Sequence, residues 1–133
     1  MTLKEVYTSF EGRIGRQTFW LSSILLLILV MFLDGIITLL FGTKVPIVQT
    51  MGMYQINYTF GFLGGTLMTL LTIFYVWANL AVAIKRWHDR NKSGWWIFMG
   101  FVPVIGQLWV LIETGFLKGT EGPNDYGPDP LQM

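Results

Sequence analysis

The chain has 133 residues, of which 53% are hydrophobic and only 13% are charged, and its net charge is +1. Because soluble domains carry roughly 25% charged residues, this composition excludes a disordered chain, a coiled coil and an ordinary cytosolic enzyme domain. The length allows one domain, over residues 1–133. With no cysteine, the chain has neither the ligands of a thiolate zinc site nor a thiol nucleophile.

Three long stretches with few charges predict three transmembrane helices. The first covers about residues 18–41 and contains only Asp34, the second covers about 59–84 with no charge, and the third covers about 95–117 with only Glu113. A helix that rises 1.5 Å per residue needs roughly 20 apolar residues to cross a hydrocarbon core of about 30 Å. The sequence therefore predicts an all-α membrane protein, a small bundle of three transmembrane helices with an irregular polar tail at residues 118–133.

Two features interrupt the apolar parts of the sequence. Residues 45–58 contain Pro46, Gly52 and Asn57, which predicts a connecting loop near the membrane interface. Pro103 lies near the centre of the third stretch, where a proline breaks one helical hydrogen bond. This stretch is either a kinked span, with the tail on the far side, or a re-entrant hairpin that returns the tail to the near side. The kinked span is the preferred interpretation.

Basic residues lie mainly at one end of the predicted bundle. Seven of the nine precede the first span or follow the second, namely Lys4, Arg13, Arg16, Lys85, Arg86, Arg90 and Lys92. Two spans separate these segments, so both lie on one side of the membrane. The positive-inside rule then places the N-terminus and the loop after the second span in the cytoplasm.

Two basic and aromatic segments, residues 10–20 and 85–96, meet at this predicted boundary and hold four of the six tryptophans. They form either an interfacial belt attracted to anionic head groups or a built pocket whose guanidinium groups grip one phosphate of a lipid or other ligand. The residues of the candidate head-group site are Arg13, Arg16, Arg86, Arg90, His88, Asp89 and Ser93.

A catalytic role for His88 and Asp89 is the weaker hypothesis. Side chains adjacent on a helix point about 100° apart, so the pair is not a ready-made base and orienter. His88 is the only histidine, which excludes a multi-histidine metal site. We expect a local hydrogen bond for His88, an ion pair of Asp89 with Arg86 or Arg90, and no metal or cofactor.

Asp34 and Glu113 are ionisable groups within apolar text, which makes them candidates for a proton or ion path. By helix rise they lie about 21 Å and about 27 Å from the tryptophans at the start of their spans. This depth predicts that both lie in the outer third of the membrane, within reach of Lys44 and Lys118.

Gly61 and Gly65 form a G-x-x-x-G pair in the second span, which is typical of a close helix-packing face. The pair indicates a homo-oligomer or a membrane-protein partner without identifying the partner helix.

Four segments together resemble the domain of unknown function 805 family of small bacterial inner-membrane proteins. They are Phe-x-Gly-Arg-x-x-Arg with Phe-Trp at residues 10–20, Arg-x-His-Asp leading to Ser-Gly-Trp-Trp at 86–96, Pro-x-x-Gly at 103–106, and Gly-x-Asn-x-Tyr-Gly-x-Asp-Pro at 122–130. This chain departs from the family pattern at Lys85, Trp87 and Lys92. The resemblance implies a multi-pass inner-membrane protein, but it transfers no catalytic residue.

Three functions are consistent with these features. The first is a non-enzymatic membrane component that binds anionic lipid or a partner protein, with no nucleic-acid role. The second is a small oligomeric transporter or channel subunit that uses Asp34 and Glu113. The third is an enzyme that acts on a lipid head group through His88 and Asp89.

Overall fold

The computed structural model describes the backbone of residues 1–50 and 53–132 and the side chains of residues 1–44 and 58–132, and the chain is mostly helical. The elements in order are helix α1 (Leu3–Thr8), helix α2 (Arg16–Phe41), strands β1 (Gly42–Thr50) and β2 (Met53–Phe60), helix α3 (Phe62–Asp89), a 3₁₀ helix (Gly94–Phe101), helix α4 (Ile105–Leu111) and a π-helical turn (Ile112–Phe116). They form two compact units, residues 1–26 with 76–133 and residues 27–75.

Two helices are long and apolar enough to cross a membrane, by length and composition. Helix α2 has 26 residues and α3 has 28, which corresponds to about 39 Å and about 42 Å of helix. Few residues in their most apolar windows are buried within the protein, unlike those of a soluble core helix. They coincide with the first two predicted spans, although α3 starts three residues later than predicted and continues to Asp89.

The connection between these helices is an antiparallel β-hairpin, so the predictions of a loop and of an all-α fold are wrong there. Strand β1 pairs with β2 from Gly42 opposite Phe60 to Thr50 opposite Met53, and residues 51 and 52 lie outside the described residues. The register shifts between Val45 and Val48, around Pro46, because proline has no N–H to donate to the ladder.

The third apolar stretch does not form a third long helix among the described residues, so the predicted third span is not confirmed. It consists of the 3₁₀ helix, a turn at residues 102–104, and α4 with its π-helical turn. Its end returns to its beginning, because Thr114 and Glu113 bond to Arg86 and Arg90 respectively, which precede the stretch. The preferred kinked span is therefore not confirmed, and in the structure the stretch folds back as a hairpin, residues 94–116, called the hairpin below.

A small apolar core holds α1 against the ends of the long helices in the first unit. Val6, Ile14 and Val82 are buried together, with Tyr7 and Phe19 packed against them. The Tyr7 hydroxyl donates to the Ser22 carbonyl at 2.9 Å, which ties α1 to the first turns of α2. Helix α1 begins with a capping box, in which Thr2 and Glu5 satisfy each other's backbone N–H groups.

Candidate functional site

The carboxylate of Asp89, at the end of α3, lies between two arginines. Arg13 donates to Asp89 Oδ1 from Nε at 3.2 Å and from Nη2 at 3.1 Å, and Arg86 Nη1 donates to Oδ2. All three side chains are at least 95% buried. Arg86 and Asp89 meet because residues three apart on a helix share a face. Of the two predicted alternatives, Arg86 and Arg90, the structure confirms Arg86, and it adds Arg13 as a partner that was not predicted.

The tail closes over Arg13. The Arg13 guanidinium donates to the carbonyl oxygens of Thr120 at 2.6 Å, Gly122 at 2.7 Å and Gly127 at 3.1 Å. The Thr120 N–H in turn donates to the Asp89 carbonyl at 2.7 Å. Arg13, Arg86, Asp89 and these tail carbonyls form what we call the polar cluster.

The tail itself is held by side-chain and ring contacts. Asp129 accepts from the Leu131 N–H at 2.9 Å and from the Gly122 N–H at 3.0 Å. These two backbone donors, with a smaller contribution from Arg13, hold the pKa of the Asp129 carboxyl below its usual value. The Asn124 amide donates to the His88 carbonyl at 2.9 Å. The irregular tail predicted from sequence is therefore a folded part of the cluster.

Arg86 joins the end of the hairpin to the polar cluster. Its Nε donates to the Thr114 carbonyl at 2.6 Å, and its Nη2 donates to the Leu117 carbonyl. With Nη1 on Asp89, the donors of Arg86 are directed at protein oxygens, as are those of Arg13. A phosphate grip by these two arginines would therefore have to displace internal partners.

His88 and Ser93 do not pair with each other within the described residues. His88 Nδ1 lies 3.2 Å from the Gly12 carbonyl, and its ring stacks on Tyr126 with centroids 3.9 Å apart and an interplanar angle of 6°. Ser93 precedes the 3₁₀ helix without a side-chain capping bond. This geometry agrees with the predicted local hydrogen bond of His88.

Glu113 lies at the base of the hairpin, where its partners are not the predicted Lys118. It pairs with Arg90 at 3.0 Å and with Lys92 at 2.6 Å. The reason is the chain reversal, which brings residue 113 back to the level of α3's end. Lys92 Nζ also lies 4.9 Å from the ring centroid of Trp96 and 5.8 Å from those of Trp87 and Trp109, close enough for cation–π attraction.

Lys85 has a structural role that the sequence analysis did not identify. Its ammonium donates to the carbonyls of Glu5, Val6 and Ser9, each at 2.6 Å, and the side chain is fully buried. The Glu5 carbonyl also accepts from the Ser9 N–H at 3.1 Å, and the cation provides a donor for the carbonyls that have no helical partner where α1 ends. The only sequence signal for this structural role was the position of Lys85 next to Arg86 at the start of the basic segment.

The remaining candidates lie in the second unit. Asp34 is exposed on α2, and no ion pair of its side chain occurs within the described part of the chain. Gly61 and Gly65 have open space where a Cβ would lie, whereas at Gly64 a Cβ would contact that of Phe41 at 2.7 Å. Packing of another helix on Gly61 and Gly65 stays a prediction.

Arg16 differs from Arg13 and Arg86 because it is exposed. Its Nη1 donates to the Phe116 carbonyl at 2.9 Å, and the neighbouring Trp20 Nε1 donates to the Gly115 carbonyl at 3.1 Å. An open groove of about 730 Å³, called the Arg16 groove, is lined by Arg16, Gln17, Trp20, Leu21 and Gly115. A smaller cleft of about 110 Å³ on the other side of Arg16 includes Lys118 and Asp129.

These features define a helical membrane protein whose charged segments converge on one compact polar cluster. Residues 7–128 match the model of a family described as protein of unknown function (DUF805). The chain belongs to this family. It is similar to inner membrane protein YhaI of Escherichia coli K12, with 32% identity over 124 residues, 93% of this chain and 87% of the relative.

Two other relatives from the same organism match the chain over similar lengths. Inner membrane protein YhaH is 31% identical over 93% of this chain and 88% of its own length. Uncharacterized protein YiiR is 29% identical over 97% of this chain and 90% of its own length. No solved structure matches the chain.

Proposed function

We propose that this protein is a non-enzymatic, multi-pass component of the bacterial inner membrane that binds an anionic phospholipid in the Arg16 groove. The observation that carries the proposal is the composition of that groove, with an exposed guanidinium at one end and the apolar surfaces of Trp20 and Leu21 beside it. A phospholipid has the same arrangement, with a charged phosphate next to an acyl chain.

The hydrogen bonding of Arg16 supports this assignment. A guanidinium has five N–H donors, and within the described residues the Arg16 side chain uses one donor atom, Nη1, on Phe116. The other donors are available for a bidentate contact with phosphate oxygens, which suits an arginine better than a lysine.

The surroundings of Arg16 add charge and an interfacial anchor. Lys118 is exposed and lines the cleft next to Arg16, where it adds a second cation beside the carboxylates of Glu121 and Asp129. Trp20 belongs to a residue type that prefers the depth of the head groups. Arg13 and Arg86 have a different role in this proposal, because they fix the tail and the hairpin around the groove.

The test is lipid retention by the purified protein. Native mass spectrometry would measure bound phosphatidylglycerol against zwitterionic phosphatidylcholine for the natural protein, Arg16→Ala and Arg16→Lys. Since one basic residue near an anionic surface contributes about 1 kcal/mol, we expect Arg16→Ala to weaken phosphatidylglycerol binding about fivefold or more. The phosphatidylglycerol affinity of Arg16→Lys should lie between those of the natural protein and Arg16→Ala, because lysine keeps the charge and loses the bidentate geometry.

Lys4→Ala is the matched control, since Lys4 is exposed on α1 and does not line the groove. It removes one positive charge from the same N-terminal region and should leave retention unchanged. Equal phosphatidylglycerol binding by Arg16→Ala and the natural protein would refute the groove assignment. An equal loss of phosphatidylglycerol retention in Lys4→Ala would show that the effect of Arg16→Ala comes from net charge alone.

A further inference from the structure

The hairpin has both its ends at the polar cluster. Arg90 Nε lies 3.0 Å from Glu113 Oε2, Lys92 Nζ lies 2.6 Å from Glu113 Oε1, and Arg86 Nε lies 2.6 Å from the Thr114 carbonyl. The residues immediately before the hairpin therefore contact the residues at its end. A segment with this connection cannot deliver its two ends to opposite faces of a membrane.

The length of each limb corresponds to half a bilayer. The 3₁₀ helix has 8 residues and reaches about 16 Å at 2.0 Å per residue. Residues 105–116 reach at most about 18 Å at 1.5 Å per residue. The hydrocarbon core is about 30 Å thick, so a hairpin that enters from one face ends near the bilayer centre.

The tip of the hairpin satisfies most of its own backbone N–H groups, as a position in lipid requires. Pro103 has no N–H, and the N–H groups of Val102, Ile105 and Gly106 donate to Met99, Pro103 and Val102 at 3.1, 2.7 and 3.2 Å. Unpaired N–H groups are costly in hydrocarbon, which contains no water to accept from them. The turn is tight because Val104 adopts φ +62° and ψ −67°, the geometry of a γ-turn.

The side chains of the tip are apolar and exposed. Phe101 is 80% exposed, Ile105 73% and Val104 67%, and residues 93–112 contain no charged residue. Trp95, Phe98 and Phe101 stack in succession along one limb, with ring centroids 5.5 and 5.9 Å apart. An aromatic and aliphatic tip above a charged base matches the profile of one leaflet, from acyl chains to head groups.

We propose that the hairpin inserts into the leaflet on the polar-cluster side, contacts acyl chains with its tip, and ends near the bilayer midplane without crossing. The occupant of this exposed surface is therefore lipid hydrocarbon. The alternative is that a second copy of the chain covers this surface. The experiment below distinguishes lipid contact from contact with a second copy.

The absence of cysteine allows single labelling sites. Ile105→Cys at the tip and Ser93→Cys at the base would each carry a bimane label in vesicles containing the full chain. The vesicles would contain phospholipids brominated near the head group, in the middle, or near the methyl end of the acyl chain. We expect the tip label to be quenched most by the deepest bromines and not by aqueous iodide, and the base label to show the opposite pattern.

Two results would overturn the insertion. Strong iodide quenching at Ile105→Cys would place the tip in water. Weak quenching by every brominated lipid, together with disulfide cross-linking between copies at position 105, would place a second chain on this surface. Phe101→Cys, on the other limb and also largely exposed, repeats the measurement if Ile105→Cys does not fold.

A second measurement tests the crossing directly. A membrane-impermeant maleimide would label Lys4→Cys and Glu121→Cys from the same side of oriented vesicles. Labelling of these two positions from opposite sides would show that residues 94–116 cross the bilayer, and would overturn the proposal. Neither result depends on lipid binding at Arg16.

Discussion

The buried carboxylate of Asp89 has one negative charge between two guanidinium groups, and its neighbours are equally buried. Removing one partner of such a group is costly because the others remain charged away from water, typically by 3–5 kcal/mol. Here the loss would affect the tail, the hairpin and the segment before α2 together, since Arg13 lies in that segment and binds the tail, and Arg86 binds the end of the hairpin.

We therefore expect Asp89→Asn to lower the free energy of unfolding by about 3 kcal/mol, because the shape is kept and the negative charge is lost. Thermal unfolding in detergent micelles, monitored by circular dichroism, measures the difference. Asp125→Asn removes a carboxylate from an exposed tail position and is the matched control. If the two variants unfold at the same temperature, the polar cluster does not hold the fold together.

At this scale the sequence predicts contacts between near neighbours and not between distant ones. Arg86 and Asp89 are three residues apart on one helix, so their pairing follows from helical periodicity. Arg13 lies 76 residues from Asp89 and 107 from Thr120, and its partners there include backbone carbonyls, which every residue has. No residue pattern distinguishes such an acceptor from any other.

At the scale of the elements, the turn of the hairpin requires that the backbone of Gly106 lie close to residues 99 and 102. A Cβ at this position would overlap the Met99 carbonyl oxygen and lie 2.7 Å from Val102 Cβ. At Gly100, on the first limb, a Cβ would meet only Val110 Cγ2, at an ordinary 3.9 Å. Two glycines of the same apolar stretch therefore differ in whether a methyl group fits.

Gly106→Ala should open the turn and destabilise the protein by about 1–3 kcal/mol, because the backbone of residue 99 must move to admit the methyl group. Gly100→Ala should change stability by a few tenths of a kcal/mol at most. The unfolding midpoints of the two variants and the natural protein, compared in one detergent, provide the measurement. A midpoint for Gly106→Ala equal to that of Gly100→Ala would show that the turn has room.

The long elements could be predicted from the sequence, and the short ones could not. Helices α2 and α3 follow from long runs without charge. The β-hairpin was missed because glycine, proline and asparagine in residues 45–58 outweighed the alternation of Tyr54, Ile56, Tyr58 and Phe60 with polar residues. Pro103 marked a break in the third stretch, but a kink and a full reversal leave the same local signature.

For the whole molecule, the distribution of charge predicts its orientation. Eight of the nine basic residues belong to the unit of residues 1–26 and 76–133, and the unit of residues 27–75 contains only Lys44. A third stretch that crossed the bilayer would carry Lys118 to the opposite side, whereas the folded-back hairpin keeps Lys118 next to Arg90. The imbalance predicted by the positive-inside rule is therefore larger than the one first counted.

We expect both termini to lie in the cytoplasm. A green fluorescent protein fused to the C-terminus should fluoresce, alkaline phosphatase at the same position should be inactive, and Lys44→Cys should react with an impermeant maleimide added from the periplasm. Active phosphatase at the C-terminus would contradict this orientation, and labelling of Lys44→Cys from the cytoplasm would do so independently.

The separation of 107 positions between Arg13 and Thr120 has a consequence for biogenesis. When the segment around Arg13 emerges from the ribosome, the carbonyls that will surround it have not been translated, and in the proposed multi-pass topology α2 and α3 enter the bilayer in between. Until then the guanidinium groups stay hydrated at the membrane surface. A chain in which either helix inserts incorrectly cannot complete these bonds, and its exposed arginines distinguish it from the mature protein for proteolytic surveillance.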